Sequence, residues 1–106
     1  MLRIFDVAVV AIREVRVSIG RVAQHDRDLA RQMRRCCHSV PLNIAEGSAA
    51  RDGRRRSRYT DALGSCRELL AALHVAEAMG YLPALDPVVL DRLDHINATL
   101  YRVIRG

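Results

Sequence analysis

Hydrophobic residues recur along this chain at the three- and four-residue spacing of helices, with no strand-like alternation of apolar and polar positions. The first such segment runs from about Ile4 to Val22, with Phe5, Ile12 and Ile19 at one heptad position and Ala8, Val15 and Val22 at the other. A seam sustained that long predicts a helix laid against a core. Val7, Val10 and Val17 lie on roughly the opposite side, among Asp6 and Glu14, so one buried face leaves apolar surface uncovered.

A second segment follows Asp26, whose carboxylate can accept the free N–H groups of a first helical turn. Its seam is Leu29, Met33, Cys36, Val40 and Ile44, while Arg27, Arg31, Arg34, Arg35 and His38 fall on the other side. Beyond Pro41 the pattern shifts, because Leu42, Ala45 and Ala49 continue the side that the arginines began. Proline removes one backbone donor, so a kink or a new helix is expected there. Gly47 to Gly53 reads as a helix end and a turn, with Asp52 a candidate cap for a third helix from about Arg54 to Gly80. Its seam is Tyr59, Ala62, Leu63, Cys66, Leu69, Leu70, Leu73 and Ala76. Asp86-Pro87 opens a fourth helix, a capping side chain followed by proline at the first helical position. Val89, Leu93, Ile96, Leu100 and Val103 form its narrow stripe. Four helices with short connections predict an all-α fold, an antiparallel up-down-up-down four-helix bundle in which residues 1–106 make one domain.

Composition sharpens this picture in two places. Half of the 106 residues are hydrophobic but only 4% are aromatic, with no Trp, so the core has to be aliphatic. The net charge is +5, and all seventeen basic residues are Arg, whose planar fork suits phosphates and carboxylates. The absence of Lys in so Ala-rich a chain is equally what a codon bias would produce. Position says more than total: residues 31–58 carry a net +6 and the rest of the chain −1. A basic region on an otherwise balanced protein points to an anionic partner. The candidate nucleic-acid contacts are Arg31, Arg34, Arg35, Arg54, Arg55, Arg56 and Arg58. Cations at the start of the third helix sit at the unfavourable end of its dipole unless an anion offsets them. No aromatic beyond Tyr59 is near enough to stack bases, which favours contact with the phosphate backbone over sequence readout. The competing reading is a solvated face, or pairs with Glu14, Glu68 or Glu77 across subunits.

The remaining chemistry is sparse. Cys36, Cys37 and Cys66 are odd in number and lack framework spacing, which fits reduced thiols in a cytoplasmic protein. Cys36-Cys37-His38 resembles a metal fragment, but consecutive helical residues point about 100° apart and do not converge on one ion. No metal site and no cofactor are expected, and His25, His74 and His95 read as surface or interface histidines. Asn43 is expected to bond across helices and Glu46 to pair with an arginine, because an unpartnered buried polar group is costly. An amide and a carboxylate without a nucleophile make no catalytic set, so no enzyme activity is expected. Gly47, Gly64 and Ser65 are expected where helices approach closely. The apolar run from Val7 to Ile12 is broken at once by Arg13, Glu14 and Arg16, too short to span a membrane, and no cleavage-site pattern marks a signal peptide.

Three stretches together carry a family likeness: Ser39-Val40-Pro41-Leu42-Asn43-Ile44-Ala45-Glu46-Gly47, then Ala62-Leu63-Gly64-Ser65-Cys66-Arg67-Glu68-Leu69, then Ala76-Glu77-Ala78-Met79-Gly80-Tyr81-Leu82. Over residues 29–82 the chain resembles the 23S rRNA intervening-sequence protein family, also called the four-helix bundle protein family. Asn43, Glu46, Gly47, Gly64, Ser65 and Glu68 are its motif positions. The family is similar in fold to the accessory variability proteins of diversity-generating retroelements, which form pentameric barrels with basic surfaces and bind nucleic acid and a reverse transcriptase. The resemblance implies a homo-oligomer, with a pentamer favoured. Between Arg51 and Asp61 the chain departs from the aromatic-rich approach to the third helix found in many members and is more basic instead. Val7, Val10, Val17, Leu42, Ala45 and Ala49 are the candidate oligomer interface. The resulting expectation is a non-enzymatic assembly that binds RNA or DNA without sequence specificity; the alternative is a scaffold that docks an acidic protein partner.

Overall fold

Short-range chemistry sets the ends of most of the helices. In the computed structural model, which describes residues 3–106, these are α1 (Arg3–Ala23), α2 (Arg27–Ala49), α3 (Asp52–Ala78) and α4 (Pro87–Arg105), with no strand among the described residues. Asp26 caps α2, its carboxylate accepting the Leu29 N–H at 2.9 Å. Asp86 caps α4 in the same way through the Val88 N–H at 2.9 Å, with Pro87 at the first helical position. At the far end of α3 the chain passes through Gly80 at φ +79, where a side chain would be strained. The Tyr81 N–H reaches back to the Ala76 carbonyl at 2.9 Å and the Gly80 N–H to Glu77 at 3.0 Å, which satisfies two orphan carbonyls.

The start of α3 differs from expectation. Asp52 is not a cap: it lies inside the helix with φ 56, and Arg51 precedes it without any side-chain capping bond. Only Ala50 and Arg51 connect α2 to α3, and such a short connection draws on Asp52 for a left-handed backbone, which Asp tolerates better than most residues. Pro41 also behaves differently from one alternative, since α2 runs through it without restarting. The proline is buried in the helix interior, so packing holds the segment where local propensity would break it.

Each helix packs on the next, and α4 also packs on α1, closing a ring of helices around one core. Ile4, Ala8, Ala11, Val15, Ile19 and Val22 face inward from α1, so that the buried stripe is rotated slightly from the expected one and leaves Phe5 and Ile12 half-buried at its edge. Met33, Ile44, Leu73, Leu93, Ile96 and Leu100 are the largest fully enclosed apolar side chains. Each such Leu or Ile contributes about 1.5–3 kcal/mol by leaving water. Val103, placed on the α4 stripe by its spacing, is 40% exposed, while Ile104 turns toward the core instead. Arg92 of α4 meets Glu14 of α1 at 2.6 Å, fixing those two helices from the outside. The molecule measures 42 × 24 × 19 Å along its principal axes. None of the described helices is long and apolar enough to cross a membrane.

Candidate nucleic-acid interface

The seven arginines that sequence proximity grouped together do not share one surface. α2 separates them. Its rise of about 1.5 Å per residue puts roughly 27 Å between position 31 and the end of the helix at Ala49. At the first end, Arg31 and Arg34 join Arg27 around an open depression with Ala23 and Gln24, and Arg31 pairs with Asp28. In between, two arginines are engaged across the α2–α3 contact: Arg35 lies 3.9 Å from Glu68, and Arg58 lies 3.1 Å from Glu46. Arg54, Arg55 and Arg56 are exposed at the other end.

That second end gains cations which the linear sequence placed elsewhere. Asp52, Arg55, Arg56 and Tyr59 share a cleft with Val103, Ile104 and Gly106, so the last turn of α4 sits beside the first turns of α3. Arg102 and Arg105 therefore arrive at the same end as Arg51, Arg54, Arg55 and Arg56, with Asp52 among them. Arg54, Arg56 and Arg102 have no carboxylate partner among the described residues. Arg55 Nε donates to the Ala50 carbonyl at 3.1 Å, which holds its guanidinium close to the turn. Arg105 donates to the Tyr101 hydroxyl at 2.7 Å and stands 5.4 Å from the centre of that ring. Arg51, Arg102 and Arg105 were missed by reading one segment at a time. The basic close of α4 was visible in the sequence, but only the fold brings it to α3.

Four of the six motif residues, Asn43, Gly64, Ser65 and Glu68, line an open polar groove between α2 and α3, shared with Ser39, Arg58, Thr60 and Asp61. Ser39 Oγ and Ser65 Oγ are 2.7 Å apart and make the cross-helix bond there. Asn43 stays on its own helix, donating to the Ser39 carbonyl at 2.9 Å and to Ser39 Oγ at 3.0 Å, which corrects the expected bridge. Its amide orients the serine that crosses. Glu46 pairs with Arg58 as expected, and Glu77 accepts the Leu85 N–H at 3.1 Å in the loop before α4. Glu14, Glu68 and Glu77 thus all have partners within this chain.

The two glycines part company. A Cβ on Gly47 would stand 2.5 Å from Cε1 of Tyr59, whose ring lies against the α2 backbone and whose hydroxyl is 3.3 Å from Ser48 Oγ. Gly64 has nothing within 4 Å of such an atom and is exposed, so helix contact does not account for it. The cysteines are free and buried, Cys37 included, whereas His38 is exposed. Burial raises the Cys66 thiol to about 12 and the Cys37 thiol to about 11. Cys36 rises to about 12 through burial first and then the neighbouring Glu68 carboxylate. Thiols held protonated in this way are poor nucleophiles and metal ligands, and no set of three or more His, Cys, Asp or Glu among the described residues is arranged to hold a metal.

Of the proposed interface residues, Val17 and Leu42 are 61% and 60% exposed, Val10 and Ala49 are exposed to a lesser degree or are small, and Val7 and Ala45 are half-buried. Val7 packs against the core, a half-turn position that simple opposition of faces had assigned to the outside. Val75, Met79 and Val88 are further exposed apolar residues that the sequence reading did not single out.

Comparison with known proteins bears on the whole chain. No curated protein and no solved structure matches it. The sequence model of the family described as 23S rRNA-intervening sequence protein matches residues 6–102, which extends the likeness seen over residues 29–82 into α1 and α4. A match over nearly the full length, on a chain that folds as four helices around an aliphatic core, places it in the 23S rRNA-intervening sequence protein family.

Proposed function

We propose that this protein is a non-enzymatic, self-associating helical bundle that binds nucleic acid through its phosphate backbone, at the end where α3 begins and α4 finishes. The observation that carries this reading is that the cleft between the start of α3 and the close of α4 brings Arg51, Arg54, Arg55, Arg56, Arg102 and Arg105 to one end of the bundle. Clustered guanidinium groups gain by displacing counterions from phosphates, whatever the base sequence. The Arg27, Arg31 and Arg34 depression is a separate and weaker feature in this account, partly neutralised by Asp28.

Titration of labelled DNA and RNA at several salt concentrations tests the proposal. Affinity should fall steeply with salt; Arg54→Ala with Arg56→Ala should weaken binding on every sequence, and Arg31→Ala with Arg34→Ala should weaken it much less. Binding that is absent at low salt, or indifferent to salt, removes the proposal.

An antiparallel up-down-up-down course is the natural reading of the short connections, since α2 and α3 touch at Gly47 and Tyr59 near their turn and again at Arg35 and Glu68 farther from it. Self-association is supported by Val17 and Leu42, large apolar side chains left open on the outer faces of α1 and α2. A five-fold ring is the assembly we favour, as the family resemblance implies. In such a ring each arginine end recurs, so weak contacts reinforce one another.

A further inference from the structure

We infer that the arginine end takes double-stranded nucleic acid in preference to single strands. This rests on the reading above that it binds phosphates. Single strands are held without sequence preference by two devices together, a basic track and aromatic rings on which successive bases stack. The first is present here and the second is missing. The chain has one Phe, three Tyr and no Trp, and the fold accounts for all four rings. Phe5 packs against the core and Tyr59 is 2% exposed beneath α2. Tyr81 is stacked on His25 with ring centres 5.1 Å apart, in the loop at the far end of α3. Of the two tyrosines near the arginine end, Tyr59 is thus enclosed, and Tyr101 is 44% exposed with Arg105 standing over its ring. His38, His74 and His95 lie roughly 15 Å or more along their helices from this end.

What remains is a set of cations on the first turns of α3 and the last turn of α4, beside the two-residue connection that leads from α2 into α3. Such an array gains most from a rigid anion lattice of high density. A duplex offers one charge per about 1.7 Å of axis from both strands, whereas a flexible single strand offers fewer and must be ordered to match. Of the rings that would repay that ordering by stacking, Phe5 and Tyr59 are turned inward, Tyr81 is stacked on His25 at the far end, and Tyr101 is a single ring shared with Arg105, too few for successive bases.

The full chain should be titrated by fluorescence anisotropy against a DNA duplex, an RNA duplex, oligo-dT and oligo-U of one length, between about 50 and 200 mM salt. Either duplex, or both, should bind on the order of tenfold tighter than the single strands, because base stacking adds nothing to the latter. Arg54→Ala with Arg56→Ala should reduce the slope of log affinity against log salt on duplex by about 1.8, at roughly 0.9 per lost phosphate contact. These side chains are exposed and carry no ion pair, and circular dichroism checks that the fold survives. Equal or tighter binding of oligo-dT or oligo-U, lost in the same variant, would overturn the duplex preference and leave phosphate binding standing. Absence of binding to all four probes at low salt would overturn both.

Discussion

Gly47 and Gly64 stand on neighbouring helices, and only Gly47 has a neighbour that forbids a side chain. Gly47→Ala has to push the buried ring of Tyr59 off the α2 backbone, so it should cost about 1–3 kcal/mol as an overpacking substitution. Gly64→Ala meets no atom and relieves a helix of its most flexible residue, so it should stabilise by about 0.5–1 kcal/mol. Urea unfolding of the two variants should therefore move the midpoint in opposite directions. The cysteines give a second residue-scale expectation. Each thiol is raised in the folded chain above its ordinary 9.0, to about 11 or 12. The unfolded chain therefore loses these protons first. Their contribution is intact below pH 9 and erodes as pH climbs toward 12, by up to about 1.4 kcal/mol per pH unit for each thiol. Unfolding midpoints measured from pH 8 to about 11 should fall, and Cys66→Ala should make that fall shallower. Single-residue reading caught Gly47 and the Glu46 partner but not Asn43, because a side chain's choice between its own helix and the next depends on distances that spacing does not contain.

At the scale of helices, α3 begins under protest. Its first turns carry Arg54, Arg55 and Arg56 at the positive end of the helix dipole, and Arg51 supplies no cap. Arg54→Glu with Arg56→Glu should therefore stabilise the fold, by about 0.3–1 kcal/mol per reversed charge, while abolishing binding to nucleic acid. A variant that is both less stable and still able to bind would contradict the assignment of this end. Helix starts at Asp26 and Asp86 were legible in the sequence because capping is local chemistry, readable from neighbours. The start of α3 was not, since it turns on a left-handed backbone at Asp52, and aspartate is common at caps and at such turns alike. Pro41 was misleading in one of its two readings for the converse reason: its own burial, with that of Val40 and Ile44, outweighs what the isolated segment prefers.

For the whole molecule, the number of helices and most of the core followed from apolar spacing, because burying one face per helix leaves few arrangements. The shape of the basic surface did not follow. Residues near in sequence on either side of a long helix end up at its two ends, while the close of α4, half the chain away from the start of α3, becomes a neighbour of that start. Assembly belongs to this scale too. Val17 and Leu42 are open to solvent, and light scattering should give a mass several times the 11.9 kDa of one chain. Leu42→Asp with Val17→Asp should lower that mass without loss of helix content. A single 11.9 kDa species at every concentration would show that these faces stay uncovered.

All of the fixed positive charge described above is guanidinium, because the chain contains no lysine. Reagents and enzymes that silence amines by acylation have no side chain to act on. The attraction of this surface for anions is thus tuned by ionic strength, and its focus at one end by the helices that hold the guanidinium groups together.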